Sequence, residues 1–284
     1  MRLARVGPVG AERPALVDAK GVARDLSAHV ADIDGASLGP EVLARLRRIA
    51  EDELPVLGAS ERFGPCVSQV GKFICIGLNY ADHAAETGSK NPKEPIIFLK
   101  ANSAIVGPND DVLMPRGSVK LDWEVELGVV IGTRAKYVTE ADAPRHIAGY
   151  CVVNDVSERE FQLERGGTWD KGKGCDTFGP IGPWLVTPDE VGDIGNLSLT
   201  LDVNGRRCQD GTTRNMIFAP HFLVSYVSRF MTLHPGDIIA TGTPAGVGLG
   251  QKPPRFLRAG DVMDVEVQGL GRQRQTVVAD AESA

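Results

Sequence analysis

Residues 121–132 have the sequence LDWEVELGVVIG, and this stretch decides the fold. Apolar and β-branched residues flank two glutamates, which predicts a β-strand. Alternate residues of a strand point the same way, so Glu124 and Glu126 are expected on one face. The apolar residues between them then face a core.

Short apolar runs separated by Gly and Pro recur along the chain and predict further strands. The clearest are FICIGL, IIFLKA, GYCVVNDV, PWLVT, LSLTLDVNG, DIIATG and DVMDVEVQG. Predicted helices are fewer: EVLARLRRIAEDEL, ADHAAETG, SEREFQLERGG and APHFLVSYVSRFMTLHPG. This alternation is too irregular for repeated βαβ units. It predicts a β-rich α+β fold built on a mixed or antiparallel sheet.

The chain divides into two unequal regions. Residues 1–66 predict a small N-terminal domain of short strands and one amphipathic helix, with no residues that suggest chemistry. Residues 67–284 carry most of the strands and every candidate functional residue, so they predict the catalytic domain.

Composition excludes several classes of protein. The net charge is −6 with no basic stripe, which argues against nucleic acid and anionic membranes as partners. No apolar run approaches the roughly 20 residues of a membrane-spanning helix. The N-terminus also lacks a secretory apolar core, so we expect a cytoplasmic protein. Five scattered cysteines without a C-x-x-C pair argue against a disulfide framework or a structural zinc site.

Three carboxylates form the first candidate site. Glu124 and Glu126 share a strand face, and Asp155 follows the apolar run GYCVVN at a strand end. Such an oxygen donor set suits Mg²⁺ or Mn²⁺, with Ca²⁺ as a further candidate. An E-x-E pattern is also common on exposed strands, so this pattern alone leaves a solvated face as the alternative.

A histidine and a glutamate form the second candidate site. If Asp82 or Asn79 caps a short helix, His83 and Glu86 lie three residues apart on one face. A carboxylate orients an imidazole and favours its action as a general base. The alternative is a surface histidine with a chance acidic neighbour.

Three further segments could complete a pocket. Lys171 and Lys173 flank Gly172 in a glycine-containing segment, where a lysine is either surface charge or a group that stabilises a developing enolate. Arg159 and Gln162 are three apart on the helix after Asp155. The turn TGTPAGVG matches no nucleotide-binding pattern; it is either structural or brings backbone N–H groups and its Thr243 to a carboxylate.

Eight stretches in order resemble the fumarylacetoacetate hydrolase family. They cover nearly all of the chain from residue 73 onward: GLNYADHAAE, IFLKANSAIVGPND, DWEVELGVVIG, GYCVVNDVSERE, WDKGKGCDTFGPIGP, LDVNG, MIFAPHFLVSYVS and LHPGDIIATGTPAGVG. The resemblance implies a roll of mixed β-sheets, usually in a homodimer, with a divalent metal and a small 2-oxo acid substrate.

The resemblance also implies roles for individual residues. It implies Glu124, Glu126 and Asp155 as metal ligands, and His83 with Glu86 as the pair that activates water, in a segment that closes over substrate. It implies Lys173 as the catalytic lysine. The implied substrate contacts are Tyr80, Arg159, Gln162 and Thr243.

The similarity is greatest to a subgroup that hydrolyses 2,4-diketo-3-deoxy-L-rhamnonate or L-fuconate. It implies cleavage between C3 and C4 to pyruvate and lactate. The alternatives are an acylpyruvate hydrolase or oxaloacetate decarboxylase, a hydroxyheptadienedioate isomerase, a ureidoglycolate lyase, or a silent sugar-acid binding protein. The sequence leaves the physiological metal, the substrate stereochemistry and the movement of the His83 segment open.

Overall fold

The computed structural model describes residues 1–58 and 61–280. Its strands are β1 (Arg2–Val6), β2 (Arg13–Val17), β3 (Ala23–Asp25), β4 (Phe73–Gly77), β5 (Ile96–Lys100), β6 (Ile105–Val106), β7 (Val112–Met114), β8 (Leu121–Asp122), β9 (Val125–Ile131), β10 (Ile147–Asn154), β11 (Ser157–Glu158), β12 (Gly179–Val186), β13 (Ser198–Val203), β14 (Arg206–Thr212), β15 (Ile238–Ala240), β16 (Val262–Val267) and β17 (Gly271–Ala279). The α-helices are α1 (Pro40–Leu46), α2 (Ala81–Glu86), α3 (Arg159–Leu163), α4 (Asp170–Lys173), α5 (Pro188–Val191) and α6 (Pro220–Phe230).

Two large sheets and one small one organise these strands. A ten-stranded sheet has the order β3-β2-β1-β12-β10-β9-β15-β4-β5, with β6 paired to β12. A five-stranded sheet has the order β14-β13-β16-β17-β7, and β8 pairs with β11. Most pairs are antiparallel, but β15 runs parallel to β4, β6 to β12, and β7 to β17. The predicted mixed, β-rich α+β fold is confirmed.

Strand β9 is buried on both faces, because each face packs into a different hydrophobic cluster. Leu127 and Val129 pack into a cluster shared with Leu201 of β13. Val130 packs on the other side, with Leu3 of the N-terminal segment. The strand that carries a candidate ligand is therefore fixed from both sides, as close-packed interiors require.

The N-terminal segment extends the large sheet. Strand β1 pairs with β12, and Leu3 and Leu16 share a hydrophobic cluster with Phe73 and Ile238. The N-terminal strands therefore hydrogen-bond and pack directly against the larger region. The division at residue 66 stays a prediction.

All four predicted helices extend beyond the observed ones, and Ser157 and Glu158, predicted as helix, form β11. The helix predicted over 41–54 ends at Leu46, and a separate 3₁₀ turn over Glu51–Glu53 precedes the buried Leu54. The helix predicted over 219–236 ends at Phe230. There Leu233 instead exchanges backbone hydrogen bonds with Ala135 in an isolated bridge.

The stretch 121–132 is also interrupted. Trp123 and Glu124 lie between β8 and β9 rather than within one strand. Side chains replace the missing ladder bonds, since the Trp123 N–H donates to the Asp122 carboxylate and the Glu124 N–H donates to the Asn154 side chain. The prediction of one continuous strand is wrong at these two residues.

Candidate active site

Three carboxylates meet where β9 begins and β10 ends. Antiparallel pairing places Val153 opposite Glu126, which brings Asp155, just past β10, beside both glutamates. Glu124, Glu126 and Asp155 each offer a carboxylate oxygen, and these oxygens lie within 4.8 Å of one another. All three side chains are buried. The solvated-face alternative is therefore wrong.

Buried cations hold two of the three carboxylates. Lys173 Nζ lies 2.8 Å from Glu124 Oε2 and 2.9 Å from Asp155 Oδ2, so it bridges the two. Arg159 approaches the other oxygen of Glu124 at 2.6 Å. Lys100, which is fully buried, pairs with the second oxygen of Asp155 and donates to the Val156 carbonyl at 3.0 Å.

Glu126 differs from the other two. It accepts a hydrogen bond from the Gly242 backbone N–H at 2.8 Å, and among the described residues no lysine or arginine forms an ion pair with it. Burial raises the pKa of Glu126 well above its usual range, and Asp155 and Glu124 raise it further. Burial acts in the same direction on Glu124, but Lys173 and Arg159 outweigh it and lower the pKa of that carboxyl.

Three buried carboxylates, one of them without an ion-pair partner, fit a bound divalent cation. Three buried carboxylate oxygens form a hard donor set of the kind that Mg²⁺ and Mn²⁺ prefer. A buried carboxylate without a cation is costly, and a bound metal ion would compensate Glu126. The residues present therefore fit such an ion.

The His83–Glu86 pair, the second candidate site, lies beside the carboxylate triad. Helix α2 brings His83 Nδ1 to 3.4 Å from Glu86 Oε2, and His83 is 7% exposed. The cap predicted from Asp82 or Asn79 is absent: Tyr80 occupies the N-cap and makes no capping side-chain bond. Asn79 instead donates to the carbonyls of Phe218 and Thr241, which ties the start of the segment down.

The glycine-rich turn binds the protein's own carboxylates. Besides Gly242, the Gly246 N–H donates to Glu86 at 2.9 Å. The N–H groups of Gly248 and Leu249 donate to the two oxygens of Asp122, at 2.6 and 3.0 Å. These N–H groups therefore serve Glu126, Glu86 and Asp122.

Close approach explains two of the glycines. Gly246 has φ +106°, and a Cβ there would lie 2.1 Å from the Cys208 carbonyl oxygen. A Cβ on Gly250 would lie 2.3 Å from the carboxyl carbon of Glu86. Any side chain at position 250 must therefore displace Glu86 or the turn.

A cavity of about 230 Å³ lies between the two candidate groups, with Glu124 and Glu126 of the triad and His83 of the pair in its lining. This volume lies just below the ~300–1,000 Å³ that is typical of ligand pockets. The residues that line it are Ile76, Gly77, Leu78, His83, Thr87, Ser89, Phe98, Glu124, Glu126, Arg159, Gln162, Leu163, Trp169, Lys173, Thr243 and Leu249. Leu78 has φ +52°, an uncommon backbone conformation that clusters at functional sites.

The predicted contact residues separate into three groups. Arg159 and Gln162 line the cavity together, and Arg159 donates to Gln162 Oε1 at 3.0 Å. Thr243 lines it too, but its hydroxyl donates to the Val125 carbonyl. Tyr80 is buried outside the lining, and its hydroxyl has no hydrogen-bond partner among the described residues. Lys171 donates to the Arg165 carbonyl at the surface, away from Lys173.

Sequence reasoning missed two residues. Lys100 occupies an apolar strand run where a lysine suggests an exposed edge, and Asp122 was quoted without a role. Asp122 is fully buried, and besides the turn it accepts from Arg159 Nε at 2.8 Å. The signal in the sequence was its place beside the two glutamates in an otherwise apolar stretch. A charged residue there is buried only if it has a partner.

Residues 72–278 match the family model of the fumarylacetoacetate (FAA) hydrolase C-terminal region. The chain belongs to the fumarylacetoacetate hydrolase family. The resemblance inferred from the sequence is confirmed at the level of the family, and the sugar-acid subgroup stays a prediction.

Relatives in the family differ in their reactions. A Burkholderia ambifaria protein named "Putative hydrolase" is 60% identical over 277 residues, covering 97% of this chain and 98% of that protein. A probable 2-hydroxyhepta-2,4-diene-1,7-dioate isomerase from Mycobacterium abscessus is 33% identical, with a TM-score of 0.84 over 99% of this chain and 100% of that one. Maleylpyruvate hydrolase from Sphingobium sp. SYK-6, in complex with manganese(II) and pyruvate, is 28% identical, with a TM-score of 0.82 over 99% and 100%.

These findings support an enzyme of the hydrolase type that acts on a small molecule. They also support a divalent metal site, since a structural neighbour binds manganese and this chain has a buried acidic triad. No helix within the described ranges is long and apolar enough to cross a membrane.

Proposed function

We propose that this protein is a metal-dependent hydrolase that cleaves the C3–C4 bond of a 2,4-dioxo-3-deoxy sugar acid. The substrate derives from L-rhamnonate or L-fuconate, and the products are pyruvate and lactate. One observation carries the proposal: His83, backed by Glu86, lines the same small cavity as Glu124, Glu126 and Lys173. A base for water and a site for a 2-oxo acid therefore face each other.

The three carboxylates would hold the metal and orient the acid end of the substrate. When bound at Glu124, Glu126 and Asp155, Mg²⁺ or Mn²⁺ supplies Lewis-acid polarisation of oxygen. Gln162 accepts a hydrogen bond from Arg159 at its Oε1. Its amide N–H groups therefore remain to donate to a ligand oxygen.

The His83–Glu86 pair would activate water. Because Nδ1 faces Glu86, an ionised Glu86 keeps the proton on Nδ1 and leaves Nε2 as the base. Nε2 takes a proton from water as the water oxygen bonds to C4. The C3–C4 bond then breaks, C4 becomes the carboxyl carbon of lactate, and the electron pair stays on C3 as the enolate of pyruvate. Lys173 stabilises this charge, and His83 returns the proton to C3.

Product analysis tests the proposal. The purified protein is given Mg²⁺ or Mn²⁺ with the 2,4-dioxo-3-deoxy acids of L-rhamnonate and L-fuconate, an acylpyruvate and oxaloacetate. Pyruvate plus lactate, lost on adding a chelator, is the expected result. Turnover of only the acylpyruvate or oxaloacetate would rule out the sugar acid as the substrate. No turnover of any of them would place the isomerase, lyase and silent-binder alternatives first.

The proposal keeps two further predictions from the sequence, a homodimer and a cytoplasmic location. Light scattering on the purified protein checks the first, with about twice the chain mass of 30.3 kDa expected.

A further inference from the structure

The cavity changes character from its floor to its mouth. The ionisable groups form the floor: Glu126 is 1% exposed and Lys173 is 2% exposed. Leu163, by contrast, is 50% exposed and marks the mouth. Trp169 and Leu249 are partly exposed and line the cavity as well. A ligand whose acid end reaches the carboxylate triad therefore directs its other end at apolar side chains.

The cations of the lining are already engaged. They are Arg159 and Lys173, and both form ion pairs with the carboxylates of the floor. Three further cations, one shortly after α3, one in α4 and one just before β8, are engaged as well. Arg165 pairs with Glu160, Lys171 donates to a backbone carbonyl, and Lys120 pairs with Glu164.

The polar groups that remain in the lining are mostly uncharged. Thr87 and Ser89 carry hydroxyls, and Gln162 carries an amide. Such groups can hydrogen-bond to a ligand hydroxyl or carbonyl, but they cannot neutralise a carboxylate. Moving a carboxylate from water to a site without a cation costs far more than moving a methyl group there.

We propose that the mouth of the cavity selects a 2-oxo acid with an uncharged tail, alkyl or hydroxyalkyl, and discriminates against a second carboxylate. The inference rests on the proposed function, because it takes the carboxylate triad as the site of the 2-oxo acid end. It narrows the substrate to monocarboxylates, and the hydroxyethyl end of a 6-deoxy sugar acid belongs to this class.

A matched pair of unreactive ligands tests the inference. In 2-oxohexanoate the chain ends in a methyl group, and in 2-oxoadipate a carboxylate replaces that methyl group. Calorimetric titration of the Mn²⁺-loaded protein should give a Kd for 2-oxohexanoate about 10-fold or more below that for 2-oxoadipate. Because the readout is binding, it does not depend on turnover.

Two leucine variants make the test specific. Leu163→Arg places a cation at the mouth and should bring the two Kd values together or reverse their order. Leu99→Arg is the matched control: Leu99 is 43% exposed, lies outside the cavity lining, and should retain the wild-type preference.

The outcomes separate the inference from the proposed function. Equal or tighter binding of 2-oxoadipate by the wild-type protein would overturn the inference and leave the proposed function standing. An unchanged preference in Leu163→Arg would also overturn it. If Mn²⁺ binds and neither 2-oxo acid does, the proposed function fails and the inference falls with it.

Discussion

The carboxylate triad and the His83–Glu86 pair meet at one cavity, which Glu124, Glu126 and His83 line, but they are held in different ways. The triad is carried by the junction of β9 and β10, with both faces of β9 packed and ion pairs from three buried cations. The pair sits on a helix of six residues, Ala81–Glu86. The Gly246 N–H bond to Glu86 and a bond from Asn215 to Asp82 connect the helix to other segments, and Asn79 anchors its start to the carbonyls of Phe218 and Thr241.

This difference in attachment predicts that ligand binding and water activation respond separately to mutation. Charged groups on packed strands are pre-organised, and their geometry persists whether or not a ligand is present. A short helix held by a few polar contacts belongs to the less stable part of a protein. We therefore expect substitutions in the triad to remove metal and substrate binding, and substitutions in the pair to remove turnover while binding persists.

The largest expected effect comes from Glu126→Gln. This change removes the carboxylate that lacks a compensating cation, so Mn²⁺ affinity should fall by at least ~100-fold and turnover should be lost with it. Titration calorimetry measures the affinity. Glu86→Gln is the matched control and should bind Mn²⁺ within about twofold of wild type. Equal loss of Mn²⁺ binding in both variants would contradict the assignment of metal binding to the triad and water activation to the His83–Glu86 pair.

His83→Ala should lower kcat by about 10²–10⁴-fold, since a general base contributes an effect of this size. Mn²⁺ and 2-oxohexanoate should still bind, because His83 makes no ion pair with the triad. His29→Ala, at an exposed position in the N-terminal segment, is the control and should leave kcat unchanged. Retained turnover in His83→Ala would show that a different group acts as the base.

The strands of the fold could be predicted because their apolar runs are local signals. Residues 73–78 and 149–154 contain β4 and most of β10, with Gly and Pro at many of the run ends. The pairing of β15 with β9 and β4 could not be predicted, since the partners lie more than 100 residues apart. Helix ends were also missed where a tertiary bridge, as at Leu233, replaced the next helical turn.

The site was predictable where residue types are chemically specific. Glu124 and Glu126 were predicted from a strand period and Asp155 from a strand end, and the structure brings all three together although Glu124 lies just before β9. Lys100 was not predictable, because its partner Asp155 is 55 residues away and an apolar strand gives no sign of a buried ion pair. The role of the glycine turn also depends on distant partners, since its N–H groups serve carboxylates from three other segments.

Gly250→Ala tests how firmly the glycine turn positions Glu86. The added Cβ would overlap the Glu86 carboxylate, so Glu86 should move away from His83. Misplacement of about 1 Å in a catalytic group can cost up to ~100-fold, and we expect kcat to fall by roughly 10–100-fold with Mn²⁺ affinity unchanged. Gly39→Ala, where a Cβ meets nothing within 4 Å, is the control. An unchanged kcat in Gly250→Ala would show that the turn gives way instead.

The smallest effect concerns motion of the α2 segment without any substitution. Because α2 has few connections to the cavity floor, the amides of residues 84–87 should exchange with deuterium faster than those of β9. Adding Mn²⁺ and 2-oxohexanoate should slow exchange at 84–87 by about 10-fold if the segment closes over ligand, because binding to the closed form stabilises it by mass action. Exchange in β9 should change less, since both faces of that strand are already packed. Equal protection of both segments before ligand is added, with no change afterwards, would mean that the two halves of the site are equally rigid and that their different attachment has no dynamic consequence.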